Sequence, residues 1–378
     1  MKIVADENIP QVKEAFENFG EVLLANGREI SNDHLKNADV LLTRSITNVN
    51  EELLENTKIK FVATATIGVD HIDLDYLNYR NIEFADAKGC NAYSVAEYVI
   101  CSIINIYNNK NILLDNKKIG VVGYGNIGTK ISTFAEAIGL NVLINDPPLE
   151  RISTSKIFHD LEDALKSDIV TLHVPLNKSG IDKTYHLIDS EKIHLIKENT
   201  LLINTSRGPV VDNFVLKDRL EKQNDITTTL DVWENEPNID ADLLSKVNIG
   251  TAHIAGYSLE GKLNGTLLIY EKFCDYFGFN PTWQPNYPTL ENDLIAVNTN
   301  DSIEKILNDT LSKVYNVEGD STMLKGCSKL DDELRGKCFD NLRKSYSVRR
   351  EFNNYTIKLN KRDNKLKEIF EALRFKVT

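Results

Sequence analysis

The segment Gly123-Tyr-Gly-Asn-Ile-Gly128 constrains this chain more than any other. It directly follows the apolar run Ile119-Gly-Val-Val122 and opens an amphipathic stretch, Ile127 to Ile138, that ends at Gly139. A GxGxxG string alone says little. Placed between a strand and a helix, and followed by the strand Val142-Leu-Ile144, it is the turn of a βαβ unit. Gly123 permits the tight turn, Gly125 lets the backbone approach a pyrophosphate, and Gly128 lets helix and strand pack closely. The amides opening the helix, around Asn126 and Ile127, are unpaired donors for phosphate. Asp146 ends the next strand, eighteen residues after Gly128. A carboxylate there accepts both ribose hydroxyls and repels a 2′-phosphate, so NAD is expected rather than NADP.

A chain of 378 residues exceeds what one core usually serves. Before the glycine loop, β-like runs at Lys2 to Ala5, Glu21 to Ala25, Val40 to Thr43, Phe61 to Thr66 and Ile82 to Ala85 alternate with helix-like stretches such as Val12 to Phe19. That alternation predicts a parallel sheet covered by helices. Ser94-Val-Ala-Glu97 reads as a capping box introducing a long apolar helix to about Tyr107. After the βαβ unit, strands are expected at Ile169 to Val174, Leu201 to Asn204, Thr227 to Val232 and Val247 to Thr251, which extends the unit into a doubly wound sheet. Three of the nine prolines then fall within Asn280-Pro-Thr-Trp-Gln-Pro-Asn-Tyr-Pro288, marking a boundary. The tail of roughly 90 residues reads as a small α+β unit with a charged helix around Phe339 to Phe352.

Three loops that each follow an expected strand carry chemistry: Arg207 in Asn204-Thr-Ser-Arg-Gly-Pro209, Glu236 in Leu230-Asp-Val-Trp-Glu-Asn-Glu-Pro237, and His253 in Thr251-Ala-His-Ile-Ala-Gly256. Singly, an Arg caps a helix, an acid sits in a solvated turn, and a His is structural. Together with the glycine loop, and with Asn91-Ala-Tyr-Ser-Val-Ala-Glu97 and Gly68-Val-Asp-His-Ile-Asp73, they resemble the D-isomer-specific 2-hydroxyacid dehydrogenases over residues 1 to about 280. The resemblance implies an α/β fold of two doubly wound parallel-sheet lobes, a flavodoxin-like substrate lobe (1–96 and 254–285) and a Rossmann NAD lobe (97–253). It implies that Arg207 binds the substrate carboxylate, His253 exchanges the hydroxyl proton and Glu236 holds the imidazole. Hydride leaves C2 only as the hydroxyl proton is removed, so oxidation needs a base at that oxygen. By the same resemblance Val174, Thr205, Ser206, Arg207, Asp231 and Gly256 join the cofactor site, and Ser45, Thr66, Ile67, Gly68 and Tyr257 the substrate site.

The opening Met1-Lys-Ile-Val-Ala-Asp-Glu-Asn-Ile-Pro10, the Asp146-Pro-Pro148 step and the tail run from Phe339 to Phe352 resemble one branch of that family. Its implied substrate is a phosphorylated four-carbon 2-hydroxy acid, and its tail, 286–378, implies an α+β dimerisation domain and a homodimer. Arg44 is a candidate for the phosphate, and Arg349-Arg350 could reach a partner's site or make helix ion pairs. A phosphoglycerate dehydrogenase with an unusual tail, or a corepressor that binds NAD without turnover, are the competing expectations. The formal charge of −12, with basic residues interspersed among acids, argues against nucleic acid. No apolar run approaches the roughly 20 residues that span a bilayer, so a cytoplasmic protein without membrane contact is expected. Five cysteines without CxxC or Cys/His spacing read as reduced thiols, and no metal is expected.

Overall fold

The structure is a computed structural model that describes residues 1–155 and 157–378. It divides into two compact units, Met1–Asn91 with Ser258–Thr289, and Ala92–Tyr257 with Leu290–Thr378.

In the first unit the strands β1 (Lys2–Asp6), β2 (Glu21–Ala25), β3 (Val40–Thr43), β4 (Phe61–Thr64) and β5 (Glu83–Asp86) form one parallel sheet in the order β2-β1-β3-β4-β5. Every residue of β3 and β4 is buried, which is why they read as unbroken apolar runs and not as alternating ones. One sheet face meets Phe16 and the helix Leu259–Phe277, where Phe16 and Phe273 pack edge-on at 5.1 Å; the other meets Leu35, Leu54 and Leu77. The strand order reverses between β1 and β3. The loops after those strands therefore diverge and leave a crevice for a ligand.

The second unit holds β6 (Lys118–Val122), β7 (Asn141–Asn145), β8 (Ile169–Leu172), β9 (Leu201–Asn204), β10 (Thr227–Leu230) and β11 (Ile249–Gly250), all parallel in the order β7-β6-β8-β9-β10-β11. The switch lies between β6 and β8. Three further strands, β12 (Leu294–Val297), β13 (Thr356–Leu359) and β14 (Lys376–Val377), pair in parallel as a separate small sheet of the tail. The tail has no core of its own. Ile306, Leu307 and Leu311 from its helix Ile303–Val314 share one apolar cluster with Ile103, Ile104 and Ile119.

Several local expectations change. Ser94 and Glu97 do not cap a helix, because the helix already begins at Ala92. Instead Ser94 Oγ donates to Glu351 Oε1 at 3.0 Å and Glu97 Oε1 accepts the Phe352 amide at 2.9 Å. Burial, then the adjacent Glu351, push the Glu97 carboxyl well above the usual range. Arg349 is likewise internal: its Nη2 donates to the Ser94 and Ala255 carbonyls at 3.1 and 2.5 Å, and its guanidinium lies 4.3 Å from the Tyr315 ring centre. Arg350 is buried too and donates to Asn354 Oδ1. The charged tail helix spans Asp332–Lys344 and so ends eight residues early. Cys327 and Cys338 form a disulfide, which corrects the expectation of five thiols; Cys90, Cys101 and Cys274 are buried thiols outside that bridge. Among the described residues no helix is long and apolar enough to cross a membrane.

Candidate active site

The glycine loop occupies the switch point of the second sheet. Gly123 has φ +94°, and a Cβ there would come within 2.6 Å of the His173 carbonyl oxygen. At Gly128 a Cβ would meet the Gly123 carbonyl oxygen at 2.0 Å, so only glycine lets the helix Asn126–Ala137 start this close to its strand. Gly125 differs, since a Cβ there would touch nothing within 4 Å. That open side, beside the first amides of the helix, is the room a pyrophosphate needs. Asp146 caps the following turn, Oδ2 accepting the Tyr124 amide at 2.8 Å and Oδ1 the Leu149 amide at 3.0 Å. Each oxygen keeps a second lone pair for a ribose hydroxyl. Across the switch, burial drives the His173 ring down to about 3, so it stays uncharged; Thr171 and Thr205 hold its two nitrogens. These groups fit a dinucleotide.

Three adjacent strands, β9, β10 and β11, send their C-terminal loops to one edge of the sheet with Arg207, Glu236 and His253. The His253 turn is built from Asp231. The Asp231 carbonyl accepts the His253 amide at 2.7 Å, Oδ1 accepts Ile254 N and Thr251 Oγ1, and Oδ2 accepts Ala255 N. With that many fixed bonds His253 is held at φ +54°, a left-handed conformation costing a non-glycine residue about 1 kcal/mol. Asp231, the residue expected at the nicotinamide, is also the scaffold of this turn. His253 Nδ1 meets Glu236 Oε2 at 2.8 Å, which leaves Nε2 to face a hydroxyl. Glu236 Oε1 in turn accepts the Trp233 amide at 2.8 Å.

Burial by itself would raise the Glu236 carboxyl; the His253 ring, the Trp233 amide and the Arg343 guanidinium outweigh it and hold the group below its ordinary range. A lowered carboxyl adds stability that is complete above about pH 4.3, the unfolded value, and is lost as the pH falls through the folded value. Glu236→Gln should therefore lower kcat by about 10²-fold. In thermal melts its Tm deficit against the parent should be constant near neutrality and shrink in acid. A deficit independent of pH would show that the carboxylate is not ionised beside the ring.

Sequence reasoning missed the group that joins the Arg207 and Glu236 loops. His186 meets Glu234 Oε1 through Nε2 at 2.7 Å and Asp212 Oδ2 through Nδ1 at 3.3 Å, while its amide donates to the Pro209 carbonyl. Glu234 Oε2 accepts the Asn213 amide, and a Cβ at Gly208 would strike the Trp233 carbonyl oxygen at 1.9 Å. The one available signal was the glycine after Arg207, whose close approach could be inferred but not its partner. In the first unit Arg44 Nε pairs with Asp6 Oδ2 at 3.0 Å, and Asp6 is wholly buried. Ser45 stands exposed behind β3; Thr66, Ile67 and Gly68 lie behind β4, with Thr66 Oγ1 bonded to Thr64 Oγ1 at 2.8 Å. In the second unit the Tyr257 ring packs edge-on against Tyr346 at 6.0 Å.

A family model described as the D-isomer specific 2-hydroxyacid dehydrogenase NAD binding domain matches residues 106–255, and one described as a domain of unknown function matches 288–373. Erythronate-4-phosphate dehydrogenase of Hahella chejuensis is 42% identical over 361 residues, covering 95% of this chain and 94% of that protein. The chain belongs to the erythronate-4-phosphate dehydrogenase family. Membership extends through the tail, since the family's Proteus mirabilis enzyme is 41% identical over 94% of each chain. Two solved structures share the fold. These are the NAD-bound formate dehydrogenase of Staphylococcus aureus (TM-score 0.62, 22% identity, 73% of this chain and 96% of that one) and the NAD+-bound 3-phosphoglycerate dehydrogenase of Entamoeba histolytica (0.63, 24%, 74% and 95%). The chain is an oxidoreductase of the NAD-binding, Rossmann-type class, and its cofactor is NAD.

Proposed function

We propose that the chain oxidises 4-phospho-D-erythronate at C2 to 2-oxo-3-hydroxy-4-phosphobutanoate, a step of vitamin B6 biosynthesis. The observation that carries this is the 2.8 Å His253–Glu236 pair at the end of the strand next to the one bearing Glu236, in a chain related to its family over nearly full length. NAD, when bound, accepts the hydride. Arg207 pairs with the substrate carboxylate through a planar two-pronged contact and so sets which face of C2 is presented. His253 Nε2 takes the C2 hydroxyl proton as the C2–H bond breaks. Glu236 orients that ring and stabilises its protonated form. Gly123, Gly125, Asn126, Ile127, Gly128 and Asp146 hold the cofactor, and Ser45, Thr66, Ile67, Gly68 and Tyr257 contact the substrate.

Initial rates with 4-phospho-D-erythronate and 3-phospho-D-glycerate, each with NAD and NADP, test this. The expected outcome is a kcat/KM at least 10-fold higher for the four-carbon acid with NAD; preference for phosphoglycerate would overturn the substrate. We propose further that the protein is cytoplasmic and a homodimer. Closed two-fold pairing is the commonest assembly of such enzymes, and sedimentation of the intact chain as a monomer would refute it.

A further inference from the structure

The tail reaches the catalytic turn within its own chain. The helix Asp332–Lys344 lies on the residues that follow Glu236. A Cβ at Gly336 would come within 2.2 Å of Asn238 Oδ1 and 3.7 Å of Pro237 Cγ, and Arg335 Nε donates to the Ile239 carbonyl at 3.0 Å. Two helical turns beyond Gly336, and hence on the same face, stands Arg343. Its guanidinium carbon is 5.7 Å from the centre of the Tyr257 ring and 6.0 Å from that of Phe339. Its Nε is buried and has no hydrogen-bond partner, although the residue as a whole is half-exposed. Burial opposes its charge, but Tyr257 and Glu236 more than compensate and raise it above the ordinary arginine value, so it is a cation at every relevant pH.

The other arginines considered for an anionic ligand are committed elsewhere. Arg44 is paired with the buried Asp6, Arg349 donates to two main-chain carbonyls, and Arg350 donates to Asn354. A phosphorylated 2-hydroxy acid brings about three negative charges to a protein of net charge −12. Arg207 suits the carboxylate, because its loop follows the strand adjacent to that of Glu236. The phosphate calls for a further cation, and Arg343 stands beside Tyr257, which is proposed above to contact the substrate. We infer that Arg343, delivered by the tail, is the cation that receives the substrate's phosphate, which makes the tail domain a specificity element of the active site. This rests on the 4-phospho-D-erythronate reading.

The test compares the parent with Arg343→Gln and Arg343→Lys, using 4-phospho-D-erythronate and D-erythronate. Where D-erythronate turns over too slowly, its Ki as a competitive inhibitor replaces its KM. A charged hydrogen bond to phosphate implies that Arg343→Gln raises KM for the phosphorylated acid about 10- to 100-fold. The preference for the phosphorylated over the unphosphorylated acid should fall by the same factor, and Arg343→Lys should recover part of it. Equal losses with both acids, or an unchanged preference, would overturn the assignment and leave Arg343 as a support for Tyr257. Failure of the parent itself to oxidise 4-phospho-D-erythronate would instead refute the substrate. NADH fluorescence binding and a thermal melt show whether each variant is folded. A variant that does not fold is replaced by Arg343→Met, which keeps the apolar stem against the two rings.

Discussion

Replacing His253 with alanine should lower kcat by about 10³-fold and leave the affinity for NADH within about twofold of the parent. The magnitude follows from the role: a positioned proton acceptor is worth about 10² to 10⁴ in rate, and this one has no substitute in its turn. Glu236 lies behind the ring, on Nδ1, and cannot take over at Nε2. The turn should survive the change, because the Asp231 carbonyl and carboxylate hold the amides of residues 253 to 255 and none of these bonds uses the imidazole. The glycine loop, Asp146 and His173 lie behind other strands, which is why cofactor affinity is expected to stay. Steady-state turnover and NADH fluorescence titration read the two quantities separately. A kcat within tenfold of the parent would remove His253 from the proton path. A parallel loss of NADH binding would show that the variant has lost the turn and not the base.

What the sequence disclosed and what it hid follow from the range of the interactions. Strands β3 and β9 lie at the residues expected of them, because a buried parallel strand must be apolar along nearly its whole length and punctuated at both ends. The glycine loop was legible for the same reason: the steric requirement at Gly123 and Gly128 comes from backbone only a few residues away or on the next strand. Ser94 and Glu97 misled because a capping pattern is defined by spacing alone. Here a segment some 250 residues later competes for the same side chains. The Val317–Gly326 helix was unanticipated, since its buried face is made of Val317, Ser321 and Leu324 and shows only a weak apolar period. The Cys327–Cys338 bridge and the His186 contacts likewise depend on tertiary proximity that no local signal encodes.

Arg207→Lys should reduce kcat/KM for the hydroxy acid by about 10²- to 10³-fold, although it keeps the charge. In the structure the guanidinium stem is braced, with Nη1 donating to the Ser206 carbonyl at 2.7 Å, and Ser206 is itself fixed through Oγ to Asn204 Oδ1 at 2.8 Å. Asn204 returns the support by donating its side-chain amide to the Arg207 carbonyl at 3.0 Å. These bonds orient the planar fork, and a guanidinium so held can meet both oxygens of a carboxylate in one plane. An ammonium is a point charge without that plane, so it attracts the substrate but leaves it free to rotate about C1–C2. Rotation moves the C2 hydroxyl away from His253 Nε2, and misplacement by about 1 Å is enough to lower a rate 10²-fold. The loss should consequently fall on kcat as well as on KM, whereas a purely electrostatic role for Arg207 would raise KM alone. Measured in both directions, the loss in kcat/KM should be the same for oxidation of the hydroxy acid and reduction of the 2-oxo acid. The two directions share one transition state and the same carboxylate contact, so unequal losses would mean that the lysine has altered the relative affinities for NAD and NADH and does not act through the carboxylate contact alone.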